Sequence, residues 1–205
     1  MTVSIDYDAE FGGIDIYLFD QLQRGRIVPG MRIFDAGCGW GRNIIHLAKQ
    51  GYDVSGVDAD AGAIREVHAR LTQIAPGVAA DRFRPERVQD STFADACADV
   101  VISSAVLHFA RDDAEFEAML RGAWRHLAPR GLFFCRLAST IGMEARVRPL
   151  GGRRFTMPDG TDRYLVDERM LLEWTRRLNA RLLDPIKTTV VQDQRSMTTW
   201  VLMKS

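Results

Sequence analysis

Short apolar runs alternate along this chain with stretches whose apolar positions recur every three or four residues. That alternation predicts parallel strands joined by crossover helices, an α/β sheet wound on both faces. The run from Met31 to Gly37 reads as a buried strand stopping in a glycine turn, and the helix after it carries Ile44, Ile45, Leu47 and Ala48. Asp53 to Val57 predicts a second strand closed by Asp58, then a helix over Ala61 to Ile74 ended by Pro76-Gly77. Arg87 to Gln89 is expected as a short third strand. Asp99 to Ser103, rich in Val and Ile, is expected as a central fourth strand covered on both faces.

Between Asp112 and Leu127 the residues Phe116, Met119, Leu120, Ala123, Trp124 and Leu127 fall on one helical face. A turn at Pro129-Arg130-Gly131 leads to a fifth strand, Leu132 to Leu137. Val166 to Leu178 predicts a helix with Asp167 as N-cap. Thr188 to Val191 and Thr198 to Met203 are two closing strands, and a connection this short makes them antiparallel. Ala138 to Leu165 lacks periodicity and is rich in Gly and Pro, so it is expected as a lid or substrate loop within a single domain spanning residues 1–205.

Composition narrows the class. With 205 residues, 46% hydrophobic and 26% charged, the chain can bury a full core, which excludes disorder, collagen and disulfide scaffolds. Lys+Arg 27 balance Asp+Glu 27, so no global field draws it to nucleic acid or an anionic membrane. Cys38, Cys97 and Cys135 are widely spaced and form no zinc motif, so no metal is expected. Unpaired cysteines, an acidic start without an apolar run, and no stretch long enough to span a bilayer set the expectation of a cytoplasmic protein.

The chemistry sits in Phe34-Asp35-Ala36-Gly37-Cys38-Gly39-Trp40-Gly41-Arg42-Asn43. A glycine turn between first strand and first helix is where backbone meets a nucleotide-like ligand. A dinucleotide fingerprint wants Gly or Ala where Arg42 stands, and no Gly-Lys-Ser/Thr follows to make a phosphate loop. Asp35, two residues before Gly37, would repel a pyrophosphate and attract an ammonium group.

On these residues the sequence resembles the class I S-adenosylmethionine-dependent methyltransferases, whose first motif reads acid-x-Gly-x-Gly-x-Gly. The resemblance covers nearly the whole chain and implies a Rossmann-like, seven-stranded, doubly wound sheet, mostly parallel with an antiparallel last strand. It places Asp35, Gly37, Cys38, Gly39 and Asn43 at the cofactor. It implies that Asp58 with Ala59 holds the ribose hydroxyls, that Asp90 and Ser91 lie beside the adenine, and that Ser104 ends the fourth strand at the same ligand. Asp99 to His108 and Leu127 to Leu132 match the family's later motifs, and Arg42-Asn43 is similar to the tellurite-resistance-type branch. S-adenosylmethionine is the implied donor and S-adenosylhomocysteine the product.

The fourth-strand segment, Ser103-Ser104-Ala105-Val106-Leu107-His108-Phe109, lacks the signature of amino-methylating enzymes that act on nucleic acids or protein amides. A small-molecule acceptor methylated by in-line displacement is therefore expected. An RNA or protein methyltransferase and a non-catalytic cofactor-binding module are the competing classes. His108 is the candidate base, by position and by type. Arg153 and Arg154, in an arginine-rich lid segment, are candidate contacts to an anionic acceptor, and Tyr7 a candidate N-terminal cover.

Overall fold

A computed structural model describes residues 11–205. Tyr7 lies outside them. Helix α1 spans Ile16–Gln23, and the first βα unit runs β1 (Arg32–Ala36), α2 (Ile44–Lys49), β2 (Asp53–Val57), α3 (Ala61–Ile74) and β3 (Phe83–Arg84). Then come β4 (Ala98–Ser104), α4 (Asp113–Arg125) and β5 (Leu127–Ala138). Three short strands follow, β6 (Arg148–Gly151), β7 (Arg154–Thr156) and β8 (Asp162–Tyr164), and the chain closes with α5 (Glu168–Arg177), β9 (Ala180–Leu182), β10 (Lys187–Val191) and β11 (Arg195–Lys204).

The main sheet has the order β10-β11-β5-β4-β1-β2-β3, with β9 added on β11. Strands β1 to β5 pair in parallel, and β11 runs against both β5 and β10. The seven expected strands and the antiparallel last one are present, and β9 is an eighth. Only three residues long, it gives no pattern to read. The third strand is Phe83–Arg84, earlier than the expected Arg87 to Gln89, where Val88–Asp90 forms a single 3-10 turn instead.

Alternation along the central strands explains the two-faced core. Phe34, Val101, Phe133 and Cys135 point to the face covered by α4 and α5, whereas Ile33, Val100, Ile102 and Phe134 point to the face covered by α2 and α3. Burying such side chains stabilises the fold by about 1.5–3 kcal/mol each. Aspartates start the helices: Asp60, Asp112 and Asp167 accept from Gly62 N, Glu115 N and Met170 N.

Strand order reverses between β1 and β4, which opens a crevice at their carboxyl ends. Beside it stands the segment after β5. It is more regular than its composition predicts: β6, β7 and β8 form a separate antiparallel sheet over a small core of Met143, Val147, Met157 and Leu165. A bridge between Ser139 and Val166 closes its base.

Candidate functional site

The turn after β1 is folded tightly onto β2. Gly37 N and Cys38 N both donate to Val57 O, at 2.8 and 2.9 Å. Gly37 has φ +91°, and a Cβ there would lie 2.5 Å from Val106 Cγ2. Only glycine fits, because the loop after β4 is pressed against the turn. Asp58 ties the turn from the other side: Oδ2 accepts from Gly39 N at 2.8 Å and Oδ1 from Asp60 N at 2.9 Å. Each oxygen keeps a lone pair for a further donor.

Above this floor lies a cavity of about 590 Å³. The glycine turn through Asn43, then Asp58 and Ala59, form one wall. Arg87 to Gln89 and residues Glu115 and Met119 of α4 close one end, and Ser104 to Val106 with Phe109 the side beyond β4. Ala105, at the bend, has φ 64°, a left-handed conformation that a non-glycine residue holds only when its surroundings impose it. Cys38 is a buried part of the wall, and burial pushes its thiol pKa up, so it stays neutral.

Two buried carboxylates flank this cavity. Asp35 is enclosed beneath the turn, outside the cavity lining, and among the described residues neither oxygen has a hydrogen-bond partner. Burial raises its pKa to about 7; the charge of Arg42 opposes the rise and that of Asp58 adds to it. Asp15, the N-cap of α1, has a fully buried side chain. Its Oδ2 accepts from Arg136 Nη1 at 3.0 Å, Arg42 Nη2 at 3.4 Å and Ser104 Oγ at 3.2 Å, and its backbone N donates to Asn43 Oδ1 at 3.0 Å. One carboxylate thus binds α1 to the ends of β4 and β5 and to the glycine turn.

Residues 33–131 match the family model described as a methyltransferase domain. A curated relative, the cypemycin N-terminal methyltransferase of a Streptomyces species, is 35% identical over 142 residues, 68% of this chain and 54% of that protein. The class I methyltransferases are this chain's family. The chain spans about half the length of that relative. Among solved structures, a SAM-dependent methyltransferase from Methanosarcina mazei superposes with a TM-score of 0.72 at 18% identity, covering 89% of this chain and 96% of that one. TehB from Haemophilus influenzae gives 0.71 at 16% identity, covering 97% and 66%. At such identities the likeness is one of fold.

Within this methyltransferase fold, Gly37, Cys38, Gly39, Asn43, Asp58, Ala59 and Ser104 line one cavity, as the motifs imply. Other expected residues stand apart from it. Asp90 points to solvent and pairs with Arg87 at 2.8 Å, while Ser91 is buried and takes Arg125 on its carbonyl. The early end of β3 moves both past the cavity. Arg153 pairs with Asp167 at 2.9 Å and Arg154 donates to Ala110 O at 3.2 Å, so both brace the small sheet and neither lines the cavity.

His108 is also redirected. It is buried, and Nδ1 accepts from Ala138 N at 3.1 Å, which leaves the ring proton on Nε2. Burial and the charge of Arg163 lower its pKa to about 4. A ring so held is a poor base, and its visible work is to satisfy a buried backbone donor. Replacing His108 by Ala should cost about 1–3 kcal/mol, the penalty for orphaning that N–H, with no change in the pH dependence of turnover between pH 6 and 8. Denaturant unfolding and a rate–pH profile check this. A lost limb of the profile with stability unchanged would restore His108 as the base.

The motifs passed over Asp15, Glu115 and the part played by Arg42. The N-cap pattern of Asp15 before an apolar helix was available as a signal; its three long-range partners were not.

Proposed function

We propose that this chain transfers a methyl group from S-adenosylmethionine to a small-molecule acceptor by in-line displacement. The observation that carries the reading is the chemistry of one cavity: a glycine turn with no room for a Cβ at Gly37, Asp58 with spare acceptor capacity, and Asp35 just beneath as a buried acid without a hydrogen-bond partner among the described residues. These residues fit an adenosyl amino acid. Asp58 would accept from the ribose hydroxyls. Asp35 would act on the ammonium from below the turn, since in a low-dielectric interior a charge is felt without direct contact. Arg42, half exposed at the cavity wall, would face the carboxylate.

S-adenosylmethionine supplies an electrophilic methyl on a cationic sulfur. The acceptor's lone pair forms the new bond to carbon as the carbon–sulfur bond breaks. The chain contributes alignment and exclusion of water. With Nδ1 of His108 engaged, the acceptor must arrive with its lone pair free or lose its proton to solvent. The small β6–β8 sheet, docked through Arg154 on Ala110 and Arg163 over the Phe109 ring at 4.9 Å, would wall the acceptor side.

The relative named for methylating an N-terminus favours an amine acceptor as a second reading. Radiolabelled donor incubated with a metabolite extract and, separately, with peptides bearing free N-terminal amines decides between them. Label in small molecules supports the first reading, label in peptides the second. Calorimetry that finds NAD bound and S-adenosylmethionine ignored would overturn both.

A further inference from the structure

Among the described residues, two aromatic side chains are more than half exposed, Trp40 at 60% and Phe109 at 56%, and both line the cavity above the glycine turn. A single exposed ring is ordinary, but two brought to one cavity are not. Both are held from behind. Trp40 lies between Gly39 and Gly41, and its carbonyl accepts from Arg70 Nη1 at 2.8 Å. Phe109 closes a 3-10 turn between the buried His108 and Ala110, with Arg154 on Ala110 O. The His108 ring meets the Phe109 ring at 4.6 Å between centroids, and the Arg163 guanidinium lies over it at 4.9 Å. Arg163 is half-buried and Nη1 donates to Asp162 O at 2.8 Å. Arg146 and Arg153 of the same segment pair with Asp193 and Asp167, whereas Arg163 forms no ion pair among the described residues.

We propose that Phe109, Trp40 and Arg163 form the acceptor subsite, and that its acceptor is an aromatic anion of the phenolate type. This deepens, and rests on, the small-molecule reading above. Exposed rings on fixed backbone offer a planar acceptor a stacking surface at little cost in ordering. A guanidinium over one face of Phe109 withdraws from that ring, which favours an electron-rich partner, and its uncommitted N–H groups suit an oxyanion. The reaction agrees with this choice. Nδ1 of His108 is engaged by Ala138 N, so the turn offers no ready base there. A phenolate needs none. Its oxygen lone pair forms the bond to the methyl carbon while the carbon–sulfur electron pair goes to sulfur. The products are an aryl methyl ether and the neutral thioether S-adenosylhomocysteine, and no proton moves.

Calorimetric titration of the protein loaded with S-adenosylhomocysteine tests this without turnover. The probes are para-nitrophenolate, its neutral ether para-nitroanisole and the aliphatic anion cyclohexanecarboxylate, at mildly alkaline pH. The unmodified protein should bind para-nitrophenolate about tenfold more tightly than either of the others. Phe109→Leu and Trp40→Leu should each remove most of the preference over cyclohexanecarboxylate. Arg163→Gln should remove the preference over para-nitroanisole and leave S-adenosylhomocysteine affinity unchanged, since Arg163 is outside the cavity lining. All three side chains are open or partly open to solvent, and a ratio of probes on one preparation cancels any loss of folded protein. Equal affinity for the three probes, or binding of none, overturns the subsite and leaves the cofactor reading standing. So do preferences that survive in the variants while the leucine substitutions weaken S-adenosylhomocysteine alone, which would assign the rings to the cofactor. Failure of the unmodified protein to bind S-adenosylhomocysteine overturns both.

Discussion

Replacing Asp35 by Asn should stabilise the free protein at pH 8 and, in the same molecule, weaken binding of S-adenosylhomocysteine by about ten- to a hundredfold. Both effects come from one buried charge. Asp35 is fully enclosed without a hydrogen-bond partner among the described residues, and burial carries its pKa from 3.8 to about 7. A raised native pKa means that the folded state holds the proton more tightly than the unfolded chain. Stability from this group is therefore complete below about pH 4 and is lost as pH rises toward 7. The loss is about 4 kcal/mol by neutrality, at about 1.4 kcal/mol for each tenfold change in proton affinity. Asn cannot ionise, so the gap between the two proteins should open from near zero at pH 4 to a few kcal/mol at pH 8. Urea unfolding across that range measures it.

Ligand binding should show the reverse preference. An ammonium above the turn favours ionised Asp35, so affinity should rise between pH 5 and 7.5, with a proton released on binding near pH 6. Titrations in two buffers of different ionisation enthalpy count that proton. Parallel stability curves for the two proteins from pH 4 to 8 would show that Asp35 is ionised in the free fold, and the account would fail.

What the sequence made legible was local and periodic. Asp35, the glycine turn and Asp58 are strand-end residues, and the buried runs of β1 and β2, stopped by a glycine turn and by Asp58, locate strand ends well. The helix face of α4 was equally plain, since its apolar stripe meets one face of the sheet. What escaped was set by distant packing. Phe83–Arg84 is too short for any alternation, so the third strand was placed too late, and Asp90 with Ser91 was carried to a cavity that they do not reach. Arg153 and Arg154 looked free because charge in a Gly-rich segment gives no partner. Their partners, Asp167 and Ala110 O, belong to the helix after the small sheet and to the loop after β4. The partner of His108 was hidden for the same kind of reason: Ala138 N, thirty residues away, donates to its Nδ1.

Asp15 is the largest structural term that the sequence hid, and Asp15→Ala should lower stability by about 3 kcal/mol. Its carboxylate is fully buried between two guanidinium groups, Arg136 with 20% of its side chain exposed and Arg42 with 47%. Removing a carboxylate that compensates buried charge costs about 3–5 kcal/mol, because the partners stay behind unpaired. The lower figure applies here, since Arg42 can turn to water. Arg136 has less freedom, and its Nε already lacks a partner. Part of the loss is the helix cap, since Asp15 also accepts from Tyr17 N at 3.0 Å. Asp15→Asn separates the two contributions: its amide oxygen keeps the cap, so any deficit that remains reports the charge. Asn should recover about 1 kcal/mol of the alanine loss and no more. Both variants should also shift S-adenosylhomocysteine affinity, because Arg42 and Ser104 leave their fixed positions in the cavity wall. Equilibrium denaturation of the three proteins gives the partition. A loss below about 1 kcal/mol for Asp15→Ala would mean that the guanidiniums are screened by water, and that α1 is held to the sheet by its apolar face alone.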